Sequence, residues 1–175
     1  MSSRLFKKLI VVVLAAVMCL NFSGCGKKFD LAAYKTLVSD CQKKMESNTI
    51  ELVNMVNYEI NYMQAAGRLG SGLTASQITE QANKWIEEKA GVTPEKLNSE
   101  YNDISEKYKK ITATGVSGQE AKQINDAFLK VYDSYNDLHY LATQPNTSAS
   151  DFANKALEDE NNFTKDEETL KLLLK

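Results

Sequence analysis

The stretch SGQEAKQINDAFLKVYDSYNDLHYLA, residues 117–142, places Ala121, Ile124, Phe128, Val131, Tyr135, Leu138 and Ala142 at alternating spacings of three and four. A helix turns once in about 3.6 residues, so these side chains form one continuous apolar stripe. Ser117 and Glu120 in front of it match the Ser-x-x-Glu capping box, in which each side chain satisfies a backbone donor at a helix start. Pro145 bars its continuation. Such a stripe is buried only against another element, so a partner of the same kind is required.

Working outward, the same periodicity recurs in every long segment. Residues from about 30 to 68 open with Asp30 as an N-cap candidate and carry Leu31, Tyr34, Val38, Cys41, Met45, Leu52 and Met55, then Val56, Ile60 and Met63. This is the longest amphipathic segment of the chain. Asn48 interrupts its stripe and reads as a partly exposed asparagine, the other reading being a buried polar residue that fixes register. Thr74 and Gln77 make a second capping box ahead of Ile78, Ala82, Trp85 and Ile86, and Ala90-Gly91 closes that helix. Thr93-Pro94 supplies an N-cap and a first-turn proline for Leu97, Tyr101, Ile104, Tyr108 and Ile111, which should end near Thr112. The last segment, from about Ser150, carries Phe152, Ala156, Leu157, Phe163 and Leu170, with Thr164 and Glu167 as a place where the helix restarts after a kink. Glycine, serine, threonine and proline gather at 70–74, 91–94, 112–118 and 143–150, between these segments. No stretch alternates with period two. The expected fold is all-α: an antiparallel helical bundle of four to five helices with a long first helix, formed by residues 30–175 as a single domain.

The N-terminus is of a different kind. Arg4, Lys7 and Lys8 precede an apolar run from Leu9 to Leu20 that contains no charge, the pattern of an export signal. The run is short of the roughly 20 residues a membrane-spanning helix needs. It is followed by Phe22-Ser23-Gly24-Cys25, which resembles the lipobox of bacterial lipoproteins, with Phe22 where leucine is usual. The resemblance implies cleavage between Gly24 and Cys25, diacylglycerol on the Cys25 sulfur, and no transmembrane anchor. Residues 1–24 then form a cleaved signal peptide and 25–29 a lipidated tether. The resemblance thus implies a protein held on the extracytoplasmic side of the cell membrane, where Lys27 and Lys28 would face anionic lipid. Residues 132–152, with Tyr135-x-x-Leu138 before Pro145-Asn146-Thr147-Ser148, carry a weaker resemblance to uncharacterised small helical lipoproteins of Gram-positive bacteria.

Removal of residues 1–24 would leave 18 basic and 23 acidic residues. An acidic chain without a basic stripe is a poor fit to nucleic acid. Of the three cysteines, Cys19 leaves with the signal, Cys25 becomes a thioether and Cys41 falls on the first apolar stripe as a small buried hydrophobe. His139, the one histidine, lies one position beyond Leu138, where a solvent-edge or hydrogen-bonded ring is expected rather than a base or ligand. One imidazole is too few for the paired Glu-x-x-His motifs of a di-iron bundle, and no nucleotide loop, calcium loop or Cys-x-x-Cys is present. No catalytic residue, metal or cofactor is therefore assigned.

What remains is a surplus of eight tyrosines and an acidic run, Glu158, Asp159, Glu160, Asp166, Glu167 and Glu168. The run reads as a solvated face, except that Asp159 falls on the inward side between Ala156 and Phe163 and calls for a tyrosine hydroxyl or a kink. Tyr34, Tyr101, Tyr108 and Tyr135 fall on stripes and belong to the core. Tyr58, Tyr132 and Tyr140 fall off them and are the candidate partner surface. The expected function is non-enzymatic: an anchored envelope module presenting a helical face to another envelope or extracellular protein. The alternative is a small-ligand receptor with a pocket lined by Trp85, Tyr101 and Tyr108.

Overall fold

The computed structural model describes residues 29–68, 74–91, 93–143 and 149–175. Among them run five helices: α1 (Leu31–Arg68), α2 (Ala75–Ala90), α3 (Pro94–Thr112), α4 (Gln119–Thr143) and α5 (Ala149–Leu174), with no strand among the described residues. The expected signal segment and lipobox, and residues 25–28 of the expected tether, lie outside them. No described helix is long and apolar enough to cross a membrane.

Two junctions form as the sequence dictates. Thr74 Oγ1 accepts from the Gln77 amide at 3.3 Å while Gln77 Oε1 accepts from the Thr74 amide at 2.9 Å, completing the capping box of α2. Gly91 ends α2 in the left-handed region, φ 64°, and donates its N–H to the Glu87 carbonyl at 3.1 Å. Thr93 Oγ1 then accepts from the Lys96 amide at 3.1 Å to start α3 at Pro94. The start of α4 differs. Gly118 takes a φ of 94°, so the helix begins at Gln119 and the Ser117–Glu120 box is replaced by a glycine turn. Nor does α5 restart at Thr164, whose hydroxyl donates to the Glu160 carbonyl at 2.9 Å within an unbroken helix.

Cross-helix pairs fix the topology. Lys44, Asn48 and Glu51 of α1 meet Asp103, Glu100 and Lys96 of α3, so α3 runs antiparallel to α1. Tyr62 bonds Gln81 of α2 farther along the same helix. Helices α2 and α3 are thus one descending leg, interrupted at Gly91–Thr93. The next leg, α4, returns parallel to α1, with Tyr34 bonded to Asn125 at 3.0 Å and Asn48 to Tyr135 at 2.7 Å. Helix α5 descends again, bringing Lys171 to Glu46 at 2.9 Å and Ser134 to Asp166 at 2.6 Å.

All four other helices pack on α1, which at 38 residues is ~57 Å long at about 1.5 Å per residue. The tightest pairing is α4 with α5, whereas α2 makes its substantial contacts with α1 alone. Val38, Met45, Leu52, Leu97, Ile124, Phe128, Phe152 and Leu170 fill the core, and Cys41 is fully buried there as a small hydrophobe. Burial pushes its thiol up to about 11.

Phe128 is 0% exposed and Leu172 is 68% exposed. Phe128→Ala is expected to cost about 3–5 kcal/mol in urea unfolding, and Leu172→Ala less than roughly 0.5 kcal/mol.

Candidate functional site

The residues that carry chemistry converge on the seam between α3 and α4. The period that places Tyr101 and Tyr108 on one face of α3 sets them opposite Tyr132, Tyr135 and His139 of the antiparallel α4. The Tyr108 and Tyr132 rings stack at a centroid separation of 3.7 Å and 11°, and Tyr101 stacks on His139 at 4.0 Å and 17°. Tyr101 lies 6.0 Å from Tyr135, and Tyr108 lies 5.9 Å from Phe128, which makes the rings a continuous ladder. Backbone contacts between α3 and α4 are sparse compared with those between α4 and α5, so rings fill this seam.

The ladder is tied to α1 by a polar relay. Tyr135 donates its hydroxyl to Asn48 Oδ1 at 2.7 Å, and Asn48 Nδ2 donates to Glu100 of α3. Asn48 is 3% exposed, so the register-fixing reading holds and the partly exposed one does not. Burial is also the main reason the Tyr135 hydroxyl is harder to ionise than usual.

This packing corrects the tyrosine assignment. Tyr132 is only 7% exposed, bonded through its hydroxyl to Ser105 at 2.9 Å, and belongs to the seam rather than to a partner surface. Tyr140 is 56% exposed, and Tyr58 is half-buried on α1. Tyr34 and Tyr135 are core residues as expected, while Tyr101 and Tyr108 keep partial exposure at the edge of the ladder. The side chain of Trp85, like Gly24 and Cys25, lies outside the described residues. His139 is neither at a solvent edge nor bonded at Nε2, which is buried without a partner beneath Tyr101. Desolvation holds its imidazole down to about 4, hence neutral at pH 7.

Several buried acids are more telling than the exposed ones. Glu59 is 0% exposed and neither carboxylate oxygen has a hydrogen-bond partner; burial pushes its carboxyl up to about 8. It stands four residues from both Met55 and Met63, which puts a charged residue on the apolar stripe of α1. Asp159, 1% exposed, accepts from Lys155 at 2.6 Å rather than from a tyrosine, in an unbroken helix. Its carboxyl is raised by burial despite that lysine, with Asp137 and Glu158 adding to the effect. Glu167 is also buried, bonded by Gln42 and paired with Lys171 at 3.0 Å, so the acidic run is only partly a solvated face. Among the described residues no three His, Cys, Asp or Glu side chains are grouped to hold a metal ion.

A cleft of about 90 Å³ opens between α1, α4 and α5, lined mainly by Val53, Val56, Ile60, Leu138, Ala156 and Leu157. Ligand pockets usually span roughly 300–1,000 Å³, and neither Tyr101 nor Tyr108 lines this one. Compared with known proteins, the chain matches no protein-family model, no curated protein and no solved structure.

Two of the perturbed groups, Glu59 and His139, act on stability with opposite dependence on pH. Glu59 has a raised folded value, so its contribution is lost as pH rises from about 4.5 through about 8. His139 has a depressed value, so its contribution is lost as pH falls from 6.5 through about 4. Their opposing slopes cancel from 4.5 to 6.5, and above that the Glu59 slope is no longer offset by His139. Between pH 6.5 and 8 that slope is worth roughly 2 kcal/mol. In urea titrations at those two pH values, Glu59→Gln is expected to abolish most of the loss that the wild-type protein shows.

Proposed function

We propose that the protein is a lipoprotein of the cell envelope, anchored through Cys25 on the extracytoplasmic side of the membrane, whose helical bundle is a non-enzymatic protein-interaction module. The observation that carries this reading is the order of residues at the N-terminus: three basic residues, an uncharged apolar run, then Phe22-Ser23-Gly24-Cys25. A thioether-linked diacylglycerol supplies two acyl chains, enough for a durable hold where a single chain gives only marginal binding. The bundle supports the second half of the reading. Its one imidazole is stacked beneath Tyr101 and neutral, while Tyr140 presents a large amphipathic ring to solvent. With Tyr132 in the seam, Tyr140 is the candidate tyrosine that is most exposed to a partner.

Cys25→Ala removes the thiol that would accept diacylglycerol and precedes α1 in the sequence, so the bundle is expected to fold unchanged. The variant should incorporate no labelled fatty acid and should lose stable anchoring, since two lysines contribute only about 1 kcal/mol each at an anionic surface. Labelled lipid on the Cys25→Ala protein, together with membrane fractionation after signal removal, would overturn the reading.

A further inference from the structure

The four helix ends that meet at the start of α1 are recognisable from their contacts. Lys35 pairs with Glu120 at 2.7 Å, which brings in the beginning of α4. Lys44 pairs with Asp103 and Lys171 with Glu46, inside α1, so α3 and α5 run antiparallel to α1 and their last residues lie toward its start. Charge is distributed unevenly along the bundle that results. The half that contains these ends, residues 31–49, 103–131 and 163–175, has 11 basic and 9 acidic residues. The opposite half, residues 50–68, 74–91, 93–102, 132–143 and 149–162, has 5 basic and 13 acidic. The basic excess is concentrated within about one turn of these ends, in Lys35, Lys109, Lys110, Lys122, Lys171 and Lys175, against Asp30 and Glu120. Lys110, Lys122 and Lys175 are exposed and in no ion pair among the described residues.

We infer that this end of the bundle docks on anionic lipid headgroups and holds the domain upright, with its acidic half turned away from the membrane. The inference rests on the lipid-anchor reading for the following distance constraint. Cys25 is six residues ahead of Leu31, so an acylated Cys25 keeps this end within roughly 20 Å of the bilayer even on a fully extended chain. At that range an anionic surface selects between the two ends by charge. Each lysine brought to the surface multiplies the population of the docked orientation by about five, an effect that fades beyond a Debye length and with added salt. The acidic half is repelled by the same field.

The test is lysine footprinting of the full-length protein, isolated from membranes and reconstituted in phosphatidylcholine vesicles with or without phosphatidylglycerol. A water-soluble amine-acylating reagent reads each side chain. With phosphatidylglycerol at low salt, Lys109, Lys110 and Lys122 should react about fivefold or more slowly than in phosphatidylcholine alone, and Lys84 and Lys96 of the other half should not change. The protection should vanish at high salt, and Lys109→Glu with Lys110→Glu should restore reactivity at Lys122. Equal rates in both vesicles, or protection of Lys84 and Lys96 instead, would overturn the docking. Mass analysis of the peptide containing Cys25 keeps the two readings apart. A lipidated peptide with unprotected lysines refutes docking alone, and an unlipidated one with protected lysines refutes the anchor alone.

Discussion

The hydrogen-bond relay from Tyr135 through Asn48 to Glu100 is the constraint on which the rest of the bundle depends, because it joins α4, α1 and α3 at one level. Apolar stripes alone tolerate a slip of one turn, since each buried side chain then meets another of similar size. The relay does not tolerate it. A one-turn slip of any of the three helices would leave a buried amide or phenol unpaired, at a cost of about 1–3 kcal/mol for each group stranded. Asn48 thus does for this bundle what a single buried asparagine does for a coiled coil: it selects one register from several of comparable burial.

Once Tyr135 is fixed, the spacing of α3 follows. Tyr132 and His139 lie three residues before and four after it, on the side of α4 that faces α3, and they receive Tyr108 and Tyr101. Flat rings stacked in pairs fill more width than interlocking aliphatic side chains, so α3 stands off from α4 while α5 packs closely on the other flank. The bundle is therefore asymmetric. Helices α1, α4 and α5 form a dense trio, and the broken leg of α2 and α3 leans on α1 and on the rings.

The helices and most of their boundaries were legible because each rests on local physics: an apolar period, a Thr-x-x-Gln box, a glycine after the last turn, a proline at the first. What sequence could not supply is how many neighbours a helix has. Helix α4 touches α1, α3 and α5, so its buried arc is wider than the single stripe from Ala121 to Ala142, and Tyr132 and His139 just beside that stripe are buried too. The same geometry hid Asn48 and Glu59. A polar residue on an apolar stripe reads as an interruption until its partner is known, and the partners of Asn48 are 52 and 87 residues away. For Glu59 no partner exists among the described hydrogen bonds, and only its spacing from Met55 and Met63 betrays it. Gly118 shows the converse case, where a plausible capping pair yields to a residue free to adopt positive φ.

Polar groups are satisfied unequally along the bundle. The half that includes the start of α1 is clasped by Tyr34 with Asn125, Lys35 with Glu120, and the set Gln42, Glu46, Glu167 and Lys171. In the other half lie the unpartnered oxygens of Glu59 and Asp159 and the unpartnered nitrogen of His139. Each such group lowers the free energy needed to open its surroundings, because exposure to water returns the hydrogen bonds that burial withholds. Helix α2, supported mainly by α1, belongs to the same half. Local opening should accordingly begin far from the first residues of α1 and leave the clasped end folded.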